Sequence, residues 1–484
     1  MLDWSRRRIL GSLGAIAAPA ALGLRGSLLP RSQPTSMGGL GTTPPAPYAP
    51  AGLVGLPDPA GERHGFSSLE MELRYGSSDF HKKILAADPS ERGGAGFQWA
   101  EAGRLLKQRF TDLSRHFIFE YYPWYDNDPF HHWQQWGRVP PHDLAATSVP
   151  RLGAYSSRDT RVIERHARWI KEVGAGAVNL SWWGAGSFSG GSAHTVMDVM
   201  ADHDIKVMFH IEPYRSDRAH RYLDDITYLI QEYGERRSWD AFLLMRDAMG
   251  KVGPVFKSFR TIVPQQVTDC HDVAHEVPDY TPDEIWKQQT DSVRDRFAQD
   301  FDQVTMLADS LNMNRTRKSG FDGIAVYNNF LDPSTWQGHS ERANSDGLVY
   351  SFNTNPGFDS IARRTIPPDS CYVPNSFHPP TEVAWSEADE RARAQRLAQR
   401  QIRRTLSTSI RVQSENLSHT NVRRGFFLVF LNSFNEWHEG HAFEPAKSYA
   451  RLTSTELASG YHNARRGSYR LKTLGRYLRR ILNA

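Results

Sequence analysis

The sequence predicts an α/β chain folded as a (β/α)8 TIM barrel behind an extended N-terminal arm. Three observations carry this expectation. Short β-rich runs alternate with longer helical stretches along most of the 484 residues, the pattern of parallel strands joined by crossover helices. Most of the runs end in aromatic, amide or carboxylate residues. Gly/Pro-rich sequence is confined to the region before about residue 66, so nothing later reads as a linker to a second domain.

Seven runs are expected as strands: His116 to Tyr125, Gly176 to Gly184, Ile205 to Tyr214, Gly253 to Phe259, Gly320 to Asn329, Gly347 to Thr354 and Gly425 to Trp437. Helices are expected over Asp159 to Gly174, Asp224 to Gly234 and Ser386 to Leu406. Tyr121, Tyr122 and Trp124, then Trp182 and Trp183, then His210, Glu212 and Tyr214, then Asn328 and Asn329, and finally Asn435 and Glu436 sit at the ends of five runs. The carboxyl ends of barrel strands form a binding face. An open doubly wound sheet also binds ligands there, so this feature alone fits both architectures.

Upstream of the barrel, residues 1–25 contain Arg6, Arg7 and Arg8 followed by a Gly/Ala-rich apolar run, which resembles a twin-arginine export signal. The run is too short and weakly apolar for a membrane span, which needs about 20 predominantly apolar residues. A periplasmic or secreted location is expected. Residues 26–66 read as a Pro/Gly-rich linker, 67–115 as a lead-in, 116–460 as the barrel and 461–484 as a basic amphipathic C-terminal helix. That last helix is expected to pack on the barrel, with a peripheral surface contact as the other reading.

Net charge is +4, and Arg6, Arg7, Arg8 and Arg25 less Asp3 supply three of those charges. The remainder is near neutral, which argues against a nucleic-acid partner held through phosphates. No glycine-rich phosphate loop follows any run. Cys270 and Cys371 are the only cysteines, enough for one disulfide or two buried thiols but not for a CxxC motif.

The stretch Leu431 to Ala446, "LNSFNEWHEGHAFEPA", places Glu436 and Glu439 three residues apart. In a continuing strand they would face opposite sides. In a helical turn after Asn435 their Cβ atoms would lie roughly 5–6 Å apart, close enough for two carboxyls to divide acid and base work. Trp437 between them adds a ring on which a sugar face could stack. Glu212 in "FHIEPY" is a third strand-end carboxylate, its structural alternative being an ion pair with an arginine. The His-rich pieces "HHWQQW" and "HEGH" lack HExxH spacing, so neither a metal site nor a cofactor is expected.

These pieces, with "YYPWYDND", "LGAYSSRDTRVIERHARWIKEVGAGAVNLSWWGAG", "DDITYLIQEYG", "GFDGIAVY", "NPGFDSIARR" and "SYARLT", occur in an order that resembles glycoside hydrolase family 99, the endo-α-mannosidase and endo-α-mannanase family, over about Phe117 to Leu457. The resemblance implies a (β/α)8 barrel that cleaves an internal α-glycosidic linkage of an oligo- or polysaccharide with retention. It implies Glu436 as the base that deprotonates the sugar's own 2-hydroxyl and Glu439 as the acid/base at the leaving oxygen. Tyr122, Trp124, Trp182, Trp183, His210, Glu212, Tyr214, Asn435, Trp437 and His438 would line the substrate site. The family usually carries Tyr-Asp-Ser-Tyr after strand four, where this chain has Phe256-Lys257-Ser258-Phe259 and so lacks a hydroxyl. A divergent relative follows from that departure, its alternative being a barrel that binds glycans without turnover.

Overall fold

The structure is a computed structural model that describes residues 97–268, 274–327, 333–357, 384–414 and 419–484, all within one compact unit, Tyr48–Ala484. The expected export signal and linker, Asn328 and Asn329, and both cysteines lie outside the described residues. Eight parallel strand runs form the central sheet: β1 (Phe117–Tyr121), β2 (Ala177–Trp182), β3 (Lys206–Ile211), β4 (Val252–Ser258), β5 (Thr305–Ala308), β6 (Gly323–Ala325), β7 (in two pieces, Val349–Ser351 and Asn353–Thr354) and β8 (Val429–Leu431). Each pairs with its sequence neighbour, and β1 pairs with β8. Closure runs through β7, whose first piece pairs with β6 and whose second pairs with β8. The barrel is therefore complete, and the open-sheet alternative is removed.

Strand β5 is the one the sequence did not announce. Its four residues lie between a helix and Asp309, too short an apolar run to separate from a helix end by periodicity. The other seven expected runs each contain an observed strand.

Helices cover the outside. Besides α1 (Trp99–Lys107), which precedes the barrel, they are α2 (Thr160–Val173), α3 (Phe188–Asp202), α4 (Tyr222–Leu229), α5 (Asp283–Phe297), α6 (Met313–Lys318), α7 (Trp336–Ser345), α8 (Ala388–Ser414) and α9 (Tyr469–Leu482). The Asp159 side chain accepts from the Arg161 N–H to start α2, and Gly174 ends it at φ 93°, a left-handed conformation that suits glycine. Between these ends Ile163, Ala167, Ile170 and Val173 face the core.

The C-terminal helix α9 turns the same kind of face inward. Leu471, Leu474, Leu478 and Ile481 are buried, each such side chain contributing about 1.5–3 kcal/mol of transfer free energy. The Tyr477 ring stacks on Trp99 of α1 with centroids 4.5 Å apart. A Cβ on Gly103 of α1 would lie 2.2 Å from the Ile481 carbonyl oxygen, so the two helices meet where only glycine fits. The apolar face that a surface contact would need is thus occupied by the barrel. No helix among the described residues is long and apolar enough to cross a membrane.

Inside the barrel, alternation sorts the side chains into levels. Ile118, Met208, Val255, Leu307, Ala325, Val349 and Phe430 form an apolar cluster at the lower level. Two residues further along their strands stand Glu120, His210 and Lys257, joined by Asn179 of β2, all buried. Two residues beyond those come Tyr122, Glu212, Phe259 and Tyr327. A polar layer thus separates an apolar plug from the mouth.

Candidate active site

The chain leaves β8 at Leu431 and forms a tight loop rather than a helix. Residues 437–440 make a turn, and Gly440 takes φ 68°. Both carboxylates are brought into the barrel mouth by this turn, Glu436 at 0% and Glu439 at 1% exposure. The expected helical geometry is replaced, and the juxtaposition survives.

Each carboxylate is held differently. The Glu436 N–H donates to Ser433 Oγ at 2.8 Å, and Glu436 Oε1 accepts from the His438 N–H at 2.8 Å. Its Oε2 is buried without a hydrogen-bond partner among the described residues. Burial first, and the charge of Glu439 second, push the Glu436 carboxyl well above its usual range. Glu439 Oε2 accepts from the Tyr327 hydroxyl at 2.6 Å and also meets His441 Nε2. Two buried carboxyls that interact this strongly hold one proton between them more readily than none.

Glu212, at the end of β3, accepts from Ser181 Oγ at 2.8 Å, and burial raises its pKa. His210 Nδ1 lies 3.2 Å from Glu120 Oε2, while its Nε2 is buried and unpartnered. Tyr122 sits amid the acids: burial and the charges of Glu120, Glu212, Glu436 and Glu439 all raise its hydroxyl pKa. The Trp124 ring stacks on His132 at 4.8 Å and 12°, with His438 beyond at 6.1 Å and 17°. Burial lowers His438 to about 3, so this ring is neutral. Trp183 completes the wall, 6.3 Å from Trp124, with its Nε1 donating to Ser181 Oγ.

Tyr122, Trp124, Trp183, His210, Glu212, Glu436, His438 and Glu439 are therefore brought together. Four other expected lining residues are placed elsewhere. Trp182 points outward into the helix layer, where its ring meets Tyr214 and Tyr228. Tyr214 is half-buried on that outer side and donates to Asp225 at 2.6 Å. Trp437 lies behind the turn, its Nε1 donating to Glu444 at 3.0 Å. The Asn435 side chain grips the backbone of Tyr122, accepting from its N–H at 2.8 Å and donating to its carbonyl at 2.9 Å.

Residues that sequence reasoning passed over are Glu120, Asn179, Lys257, Tyr327, His132 and His441. A charged residue inside an apolar run was visible at Glu120 and Lys257, but their pairing across the barrel was not. Among the described residues no group of three His, Cys, Asp or Glu is arranged to hold a metal.

Residues 114–259 match the model of glycosyl hydrolase family 99. A mouse glycoprotein endo-alpha-1,2-mannosidase-like protein is 27% identical over 334 residues, 66% of this chain and 62% of that one. The chain belongs to glycosyl hydrolase family 99 as a divergent member. A Xenopus laevis glycoprotein endo-alpha-1,2-mannosidase is 25% identical, the match covering 67% of this chain and 69% of the relative. Among solved structures, the family 99 endo-alpha-mannosidase of Bacteroides thetaiotaomicron superposes with a TM-score of 0.50 at 20% identity, covering 76% of this chain and 99% of that one. At that identity the likeness speaks for the shared barrel. The match spans less than two thirds of the length of the mouse family 99 relative.

Proposed function

We propose that this family 99 barrel is a glycoside hydrolase that cleaves an internal α-linkage of a mannan-like or other α-linked glycan with retention. One observation carries the reading: Glu436 and Glu439 are buried on a single turn at the barrel mouth, with Glu436 Oε2 lacking a partner. The names of the mouse and frog relatives, which specify α-1,2-mannosidic cleavage, supply the sugar class.

In this reading Glu436, as carboxylate, takes the proton of the sugar 2-hydroxyl while that oxygen attacks C1. Glu439 protonates the departing glycosidic oxygen. The 1,2-anhydro sugar is then opened by water, whose proton goes to Glu439, and O2 recovers a proton from Glu436. Inversion at C1 in each step gives net retention. Neither carboxylate forms a bond to the sugar, unlike the usual retaining pair. Burial suits the base, because a carboxyl whose pKa is pushed up is the stronger base once ionised. Export by the twin-arginine route would bring the enzyme to extracellular or periplasmic glycans.

The test is product analysis on α-mannan and other α-glycan oligosaccharides, following the anomeric configuration by NMR. Glu436→Gln and Glu439→Gln should each lower kcat by about 10² to 10⁴, and a substrate without the 2-hydroxyl should be inert. Full activity of either variant overturns the assignment. The absent hydroxyl at Phe259 favours a second reading, a glycan-binding barrel without turnover, which predicts binding and no product for every α-glycan.

A further inference from the structure

Arg218 opens a short 3-10 turn, Arg218–Arg221, that follows β3. It is 3% exposed, a rare burial for a guanidinium. Its Nη2 donates to the Arg260 carbonyl at 2.8 Å, and its Nη1 is buried without a hydrogen-bond partner. No carboxylate of the described residues forms an ion pair with it. The nearby acid, Asp279, is taken by a two-pronged contact with Arg260, Nε to Oδ2 at 3.2 Å and Nη2 to Oδ1 at 3.1 Å.

The next residue along, Thr261, is 1% exposed and its Oγ1 is likewise buried without a partner. Between the two orphaned atoms runs the Arg260 backbone, held at φ 51°, an uncommon conformation for a side chain with a Cβ. Such outliers gather at ligand clamps. The Phe259 N–H donates to the Ile211 carbonyl at 3.0 Å, which ties this loop to β3 beside Glu212. Arg218 and Glu212 act on each other electrostatically. The open guanidinium therefore adjoins the mouth that the acid pair occupies.

A buried cation with an open N–H calls for an anionic acceptor. We propose that Arg218 Nη1 and Thr261 Oγ1 form an anion subsite, so that the glycan carries a carboxylate, sulfate or phosphate ester on the sugar that lies on the Glu212 side of the pocket. Arginine suits all three groups, because its fork matches their paired oxygens. The proposal rests on the hydrolase reading for its choice of a glycan ligand, and its test is made by binding so that the two can fail separately.

The experiment uses the full chain with Glu439→Gln to prevent turnover. Affinity is measured for a neutral α-mannose oligosaccharide and for the same chain bearing a 6-sulfate, a 6-phosphate or a terminal mannuronic acid. At least one anionic probe should bind about tenfold or more tightly than the neutral one, the scale of one charge-assisted hydrogen bond. Arg218→Gln should remove that preference and leave neutral binding in place, and Arg218→Lys should restore part of it. Thr261→Val, which keeps the guanidinium, should weaken the preference even where Arg218→Gln fails to fold. Which probe is preferred identifies the acid or ester. Equal binding of all four probes, or a preference unchanged in the Arg218 and Thr261 variants, overturns the subsite. Hydrolysis of the neutral glycan alone would uphold the hydrolase and refute the subsite, whereas anion-selective binding without hydrolysis would do the reverse.

Discussion

Lys257 Nζ donates to Glu120 Oε1 across 2.5 Å inside the barrel, where neither side chain is exposed. Glu120 Oε2 also accepts from Asn179 Nδ2 at 2.8 Å and faces His210 Nδ1 at 3.2 Å. The ammonium lies 4.5 Å from the Phe430 ring centroid, on the apolar plug. Lysine stands where the family usually has aspartate, and Glu120 on β1 balances it. Removing one partner leaves an uncompensated charge in the core. Lys257→Met should therefore destabilise the protein by about 3–5 kcal/mol, while Lys257→Met with Glu120→Leu should recover most of that. Denaturant unfolding of the two variants against wild type checks this, and equal loss in both would refute a charge-based cause.

The same pair sets an acid limit. Burial alone would raise the Glu120 pKa, but Lys257 and His210 outweigh it and lower the group from 4.5 to about 2. A depressed carboxyl contributes stability that is present above its unfolded value and is lost as pH falls through its folded one. Wild type should thus lose about 3 kcal/mol between roughly pH 4.5 and 2 from this group, and the double variant should lose less. Glu436 acts with the opposite sign. Its pKa is raised, so its contribution is full at low pH and declines as pH rises. Glu436→Gln should gain stability relative to wild type between pH 4 and 9, measured by thermal unfolding.

Tyr327, at the end of β6, reaches Glu439 with a 2.6 Å hydrogen bond and contacts His441 Nε2 at 3.2 Å. It fixes the rotamer of the acid/base carboxyl in the proposed reaction. Tyr327→Phe should lower kcat about ten- to a hundredfold, the effect of losing a hydrogen bond to a charged group, with little change in KM. Steady-state kinetics on the best α-glycan substrate measures it, and a change confined to KM would place Tyr327 in binding.

How far the site was legible follows from what fixes each residue. Tyr122, His210 and Glu212 were legible because strand-end residues must face the barrel mouth. Trp182 and Trp183 were not separable, because a parallel strand buried on both faces gives no hydrophobic phase to show which of two adjacent rings points inward. Strand β5 escaped because four residues carry no period. Trp437 was read as a stacking ring from its place between two glutamates, but its orientation depends on Glu444 and Tyr155, which only the folded loop supplies. The Glu120–Lys257 pair joins residues 137 positions apart, a relation that no local pattern encodes.

Asn435 offers the sharpest separation of scaffold from chemistry. Strands β1 and β8 stop pairing after Phe119 and Leu431, yet the Asn435 amide meets the Tyr122 backbone as a further strand residue would, carbonyl to N–H and NH₂ to carbonyl. It thereby ties the turn that carries Glu436 to the end of β1. Asn435→Asp keeps the acceptor but loses the donor, and places a charge where exposure is 0%. Asn435→Ala leaves both backbone groups of Tyr122 without that partner. Each buried group so orphaned costs about 1–3 kcal/mol, so both variants should unfold at lower denaturant than wild type. Because Asn435 precedes Glu436 directly, kcat should fall in both as well. A direct role in binding the glycan predicts the contrary, a raised KM with stability unchanged, and unfolding and kinetic measurements on the same two variants decide between them.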